Sequence, residues 1–111
     1  GIKVEYEKYK FTIQEGFEFL NTCYDEVKAK KKVSFGMPST SIRPILYIPD
    51  FVDPHLRFVI ELKGWKMSDY KLKAKMFKKY IVDNDLKMDI YVPKNQSQVL
   101  QCLAIIKQKY K

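Results

Sequence analysis

Ile45-Leu46-Tyr47-Ile48-Pro49-Asp50-Phe51 and, beyond Asp53-Pro54-His55, Leu56-Arg57-Phe58-Val59-Ile60-Glu61-Leu62-Lys63 are the two stretches that decide how this chain folds. Both are short, apolar and rich in β-branched or aromatic residues, the composition of half-buried or buried strands. Asp-Pro-His between them is turn chemistry, so the pair reads as adjacent antiparallel strands with Pro49 closing the first. Side chains alternate along a strand, so Glu61 and Lys63 share one face while Leu62 points to the other.

Downstream, Gly64 allows a sharp turn, and Ser68 or Asp69 caps a helix running to about Val82. Tyr70, Ala74, Phe77 and Ile81 form its apolar stripe and leave Lys71, Lys75, Lys78 and Lys79 outside. Leu86, Met88, Ile90 and Val92 alternate as a third core strand, and Asn95 or Ser97 opens a last helix through Lys107. Upstream, Ile2 to Phe11 reads as a strand or short hairpin. Thr12-Ile13-Gln14-Glu15 fits a capping box, predicting a helix to about Lys32 with a stripe of Phe19, Leu20, Cys23, Tyr24 and Val27. Ser34 to Ser41 reads as a loop, with a short strand around Val33 to Phe35. The sum is an α/β fold, a mixed central β-sheet flanked by helices, in a single domain over residues 1–111.

The chain carries 21 Lys plus Arg against 13 Asp plus Glu, a formal charge of +8. That balance suits a polyanionic partner, though a lysine-rich surface also serves plain solubility. Only Arg43 and Arg57 are arginines, so phosphate attraction rests on lysine point charges instead of planar forks. Cys23 and Cys102 form no metal-ligand spacing and read as buried free thiols. No stretch resembles a membrane span or secretory leader, giving an intracellular expectation: cytoplasm, or host cytoplasm for a viral protein. Nucleotide-cradling loops, Ser-His-Asp order and haem signatures are absent, which removes ATPase, serine hydrolase and haem roles.

Phosphodiester hydrolysis needs a nucleophilic water at neutral pH and cancellation of phosphoryl charge, both of which a divalent metal supplies. Mg²⁺ is commonly held by one or two carboxylates, with water and substrate completing its shell. Asp50 and Glu61 supply such a pair once the turn folds one strand beside the other. The Leu62 carbonyl is a candidate third ligand, and Lys63 a fixed cation for the transition state. Glu15, at the expected first helix, is a candidate fourth acid. Lys66, Lys71, Lys73, Lys75, Lys78 and Lys79 follow the motif directly and are candidate phosphate contacts, the alternative being a solvated face. The plain alternative is that Asp50 ends a strand while Glu61 and Lys63 occupy a solvated face. His55 and Asp53 read better as turn residues than as a proton shuttle or ligand, and Trp65 better as a packing anchor than a base-stacking platform.

Tyr47-Ile48-Pro49-Asp50-Phe51 followed by Glu61-Leu62-Lys63-Gly64 resembles the PD-(D/E)xK nuclease superfamily, and within it the small phage-type, junction-resolving endonucleases. The resemblance implies a restriction-endonuclease-like core, metal at Asp50 and Glu61, and hydrolysis assisted by Lys63. Phage members often start a helix with Ser-x-x-Glu bearing another catalytic acid. Thr12-Ile13-Gln14-Glu15 is similar to that start, with Glu18 as the alternative one turn later.

The expectation is therefore a Mg²⁺- or Mn²⁺-dependent endonuclease acting on DNA, structure-selective and encoded by a phage or mobile element. A homodimer would supply two active sites for two strands. The rival expectation is a non-catalytic basic module that binds nucleic acid or serves assembly on a nuclease-like fold.

Overall fold

The computed structural model describes residues 2–62 and 70–110. Within them lie ten strands and two helices. The strands are β1 (Glu5–Tyr6), β2 (Phe11–Gln14), β3 (Phe17–Glu18), β4 (Asp25–Ala29), β5 (Lys32–Gly36), β6 (Ser41–Ile42), β7 (Ile45–Tyr47), β8 (Phe51–Val52), β9 (Phe58–Ile60) and β10 (Asp89–Tyr91); the helices are α1 (Tyr70–Asp83) and α2 (Gln96–Lys109). They gather into two compact units, residues 1–13 with 46–111, and residues 14–45.

The larger unit is built on a four-stranded sheet ordered β1-β8-β9-β10. β1 with β8 and β8 with β9 run antiparallel, whereas β10 lies parallel to β9, so the sheet is mixed. A parallel neighbour needs a long crossover, and α1 lies in the segment joining β9 to β10. The three residues of β9 show why it occupies an interior position: Phe58, Val59 and Ile60 are all buried, the pattern of a strand covered on both faces.

Alternation divides those residues between two cores. Val52 and Val59 pack with Tyr47, Phe77, Ile81 and Met88 on the side of α1. Phe58 and Ile60 pack with Cys102 and Ile106 on the side of α2. A helix therefore covers each face of the sheet, as expected for an α/β sandwich. Phe77 is 1% exposed and its ring meets Phe11 at 5.0 Å and Tyr47 at 4.6 Å. On α2, the Asn95 side chain accepts from the Gln98 amide at 2.9 Å, the cap expected there. The opposite end of that helix is tied to the sheet through Asp89, which pairs with Lys109 at 2.7 Å and accepts from the Tyr110 hydroxyl.

Three sequence expectations are corrected. The segment 12–32 is not a helix: it contributes to β2, β3 and β4, and Phe19, Leu20 and Tyr24 of the supposed buried stripe are exposed. Strand pairing overrides the helical pattern. β3 pairs with β6, β4 pairs with β5 across Lys30-Lys31, and Gly16 brings the backbone so near Ile42 that an added Cβ would sit 2.8 Å from its carbonyl oxygen. Cys23 is exposed, not buried, while Cys102 is buried as expected. The partner of β9 is β8, after Asp50, and not the strand before it; β7 pairs with β2 instead. The short strand expected near Val33 to Phe35 is present as β5. No helix among the described residues is long and apolar enough to cross a membrane.

The turn between β8 and β9 is closed by a carboxylate. Asp53 is 1% exposed, and its Oδ2 accepts from the Arg57 amide at 3.0 Å and from Arg57 Nε at 2.6 Å. Its Oδ1 accepts from the second guanidinium nitrogen at 3.0 Å, completing a two-pronged clamp. These Arg57 hydrogen bonds hold the Asp53 carboxyl below its ordinary range against the opposing effect of burial.

Truncating Phe77 to alanine should cost about 3–5 kcal/mol, read as a lower urea midpoint without a change in slope. For Asp53, a folded-state pKa below the unfolded value means stability that is present above about pH 4 and lost as pH falls through the folded pKa. Asp53→Asn should therefore lower neutral-pH stability by about 2 kcal/mol and flatten the acid limb of stability against pH. An acid limb as steep as that of the parent would rule the clamp out.

Candidate active site

The β8–β9 register pairs Phe51 with Ile60 and Val52 with Val59. Continued by one residue, it sets Asp50 opposite Glu61. Directly opposed residues of an antiparallel pair project to the same face with Cβ atoms about 5 Å apart. Parity names that face: Asp50 is two residues from Val52 and Glu61 two from Val59, both of which pack on the α1 side. By this parity both residues lie at the same end of the hairpin, next beyond its last paired residues. Asp50 Oδ2 accepts from the Leu62 amide at 2.8 Å, which fixes its side chain against the end of the neighbouring strand.

Glu61 is 8% exposed. Its backbone amide donates to the Tyr91 carbonyl at 2.9 Å, extending the β9–β10 pairing by one residue. Its Oε2 accepts from the Tyr47 hydroxyl at 2.8 Å. Burial, reinforced by the Glu61 hydrogen bond, pushes the Tyr47 phenol far above its ordinary value, so it stays a donor throughout the neutral range. Tyr70, at the start of α1, is also raised, first by burial and then by the charge of Glu61, with Asp50 adding to it and the Tyr47 hydroxyl opposing. Two protonated phenols therefore stand beside two carboxylates.

A cavity of about 540 Å³ opens on the same side, lined by Tyr47, Tyr70, Ala74 and Phe77. Lys71, Lys78 and Lys94 also line it, so the wall is aromatic and the rim cationic. Neither Asp50 nor Glu61 is among the cavity's lining residues.

Asp50 and Glu61 each follow directly on the paired ends of β8 and β9, and the Leu62 amide is bound to Asp50. Lys63 and Lys66 lie outside the described residues, as do Gly64, Trp65 and both expected α1 caps. Lys71 lines the cavity; Lys73 and Lys75 sit on α1 without lining it. Glu15 is an exposed residue between β2 and β3, so the helical acid does not exist as such. Among the described residues no three Asp, Glu, His or Cys gather as a metal-binding group. The acidic pair nevertheless fits a hard divalent ion of the Mg²⁺ type, which needs only one or two carboxylates from the protein. Asp53 belongs to the turn clamp.

Tyr47, Tyr70 and Lys94 join the site only through the structure, and Lys78, a candidate phosphate contact, lines the cavity. Tyr47 has a signal in the sequence, since it lies two residues before Pro49 in the motif itself. Lys94 has none, because the β9–β10 crossover that brings it near is a property of tertiary structure. Compared with family models, curated proteins and solved structures, the chain matches none, so the site rests on its own geometry.

Tyr47→Phe would remove the hydroxyl from a buried carboxylate and should cost about 1–3 kcal/mol. Because burial raises the folded-state pKa of Tyr47 above the unfolded value of about 10, its protonated form stabilises the fold less and less as an alkaline medium ionises the unfolded chain. The sign follows from linkage: a folded pKa above the unfolded one gives stability that is fully present below about pH 10 and lost as pH climbs toward the folded value. Chemical denaturation across an alkaline series should accordingly show a shallower decline for Tyr47→Phe than for the parent.

Proposed function

We propose that the chain is a metal-dependent endonuclease that hydrolyses DNA phosphodiester bonds. The observation that supports the reading is that Asp50 and Glu61 are the residues next beyond the β8–β9 pairing, with the Leu62 amide bound to the Asp50 carboxylate. The resemblance of Tyr47 to Phe51 and of Glu61 to Gly64 to PD-(D/E)xK nucleases supports it independently.

In this reading Asp50 and Glu61 hold Mg²⁺ or Mn²⁺. When bound, the ion supplies Lewis acidity and a water acidic enough to act as nucleophile near neutral pH. The protein's own part is positioning. Tyr47 fixes the Glu61 carboxylate, the Leu62 amide fixes Asp50, and the Lys71, Lys78 and Lys94 ammonium groups draw the phosphate backbone along the cavity rim. The resemblance to PD-(D/E)xK nucleases assigns Lys63 the role of a cation that assists hydrolysis. Point charges on lysine read the backbone and not the bases, which favours selection of DNA structure over sequence. One site severs one strand, so nicked circles precede linear molecules unless two copies act together.

Supercoiled plasmid incubated with the protein and Mg²⁺ should be nicked, and EDTA should stop it. Asp50→Ala, Glu61→Ala and Lys63→Ala should each reduce the rate at least about 100-fold, whereas Tyr47→Phe, acting through Glu61, should reduce it less. Persistent cutting by Glu61→Ala and Lys63→Ala would remove the assignment. Binding that survives EDTA without any divalent-dependent product would leave the rival, a basic nucleic-acid-binding module.

A further inference from the structure

β4 and β5 form a two-stranded antiparallel ribbon, pairing Asp25 with Gly36 through Ala29 with Lys32. Its turn is Lys30-Lys31, and Lys30 takes φ 56°, the positive value that tight hairpin turns demand at their first central position. Lys28, Lys30, Lys31 and Lys32 therefore converge on one tip, and from Val27 to Gly36 the sequence has no carboxylate. None of the four forms an ion pair among the described residues. Lys28 and Lys32 belong to opposite faces by register, so positive charge surrounds the tip instead of lying on one side.

The ribbon also exposes apolar surface that solubility alone does not account for. Phe35 is 76% exposed, Val33 59% and Tyr24 57%. Val33 lies across from Lys28 and Phe35 across from Glu26, which puts both apolar side chains on one face. Tyr24 stacks on Phe35 with ring centroids 5.7 Å apart. A lone two-stranded ribbon is marginal in water, and an exposed face of this kind marks a contact surface.

We propose that the β4–β5 ribbon is a DNA-contacting arm. Its lysine tip binds phosphates, and its Tyr24-Phe35 face packs on sugars and unstacked bases. Charge selects this occupant: a polyanion neutralises all four lysines, whereas a second copy of the chain would bring four more cations alongside them. Dimensions agree, since a two-stranded ribbon fits the major groove of duplex DNA. Aromatic faces that accept any base add affinity without reading sequence. The proposal takes from the nuclease reading only the identity of the polyanion.

The test uses the whole chain in EDTA, where nothing is cut, titrated into a short fluorescent DNA duplex carrying an unpaired bulge over a salt series. Replacing Lys28, Lys30, Lys31 and Lys32 together by alanine should reduce the slope of log affinity on log salt by about 0.9 for each phosphate no longer neutralised, up to about 3.6. Phe35→Ala should weaken binding about tenfold with the slope unchanged. A slope indifferent to the four lysines overturns the arm, even if the protein cuts plasmid in Mg²⁺. The expected slope change in a protein that never cuts keeps the arm and removes the nuclease. Sedimentation supplies the remaining check: a dimeric parent that Phe35→Asp converts to monomers of undiminished DNA affinity would assign the face to a second copy and overturn the proposal.

Discussion

The clamp between Asp53 and Arg57 is the constraint on which the larger unit turns. Two strands as short as β8 and β9 share only the pairs Phe51 with Ile60 and Val52 with Val59. So few ladder bonds leave register weakly determined, and a slip of one residue would exchange every side chain between the two faces. The buried carboxylate of Asp53 removes that freedom by gripping both the Arg57 backbone and its guanidinium. Val52 and Val59 then face α1, Phe51 and Ile60 face α2, and Asp50 and Glu61 follow at the same end of the hairpin. One turn contact thereby sets the core partition and the candidate catalytic pair together.

How much of this the sequence discloses depends on where the deciding information lies. The β8–β9 turn, α1, β10 and α2 are legible because each carries local punctuation and periodicity that its tertiary setting respects. Residues 12–32 are not, because two physical signals compete there. A capping box and an apolar spacing of three and four residues favour a helix, but the same residues pair as strands, β4 with the adjacent β5 and β2 and β3 with β7 and β6 farther along the chain. Glu26 meets Phe35 and Phe17 meets Ile42 in ladders that no window centred on 12–32 contains. The Lys28 to Lys32 run is equally ambiguous: it suits the C-terminal end of a helix, yet it forms the tip of a ribbon.

The site shows the same division. Asp50, Glu61 and Leu62 flank strands joined by a recognisable turn, so the Leu62–Asp50 contact follows from short-range pattern. Glu15 is a candidate only while residues 12–32 form a helix, and it leaves the site with that helix. Lys94 comes near through the parallel β9–β10 arrangement, where Tyr91 pairs with Ile60 and carries the following residues to the same end of the sheet as Glu61. Lysines expected from their nearness in sequence to the motif divide by helical geometry: Lys71 reaches the cavity rim because it shares a face with Ala74 and Lys78, and Lys73 and Lys75 do not.

Tyr47 couples stability to chemistry. Its ring packs against Phe77 in the α1-side core, while its hydroxyl holds Glu61, so one side chain is anchored by apolar contact at one end and directs a carboxylate at the other. A phenol is suited to this position for a physical reason. A lysine there would neutralise Glu61 and compete with a bound cation, and a serine would be too short to reach from the core. Tyrosine donates one hydrogen bond without bringing a charge, and burial keeps that proton in place. The hydroxyl thus orients the carboxylate without itself adding charge to the site.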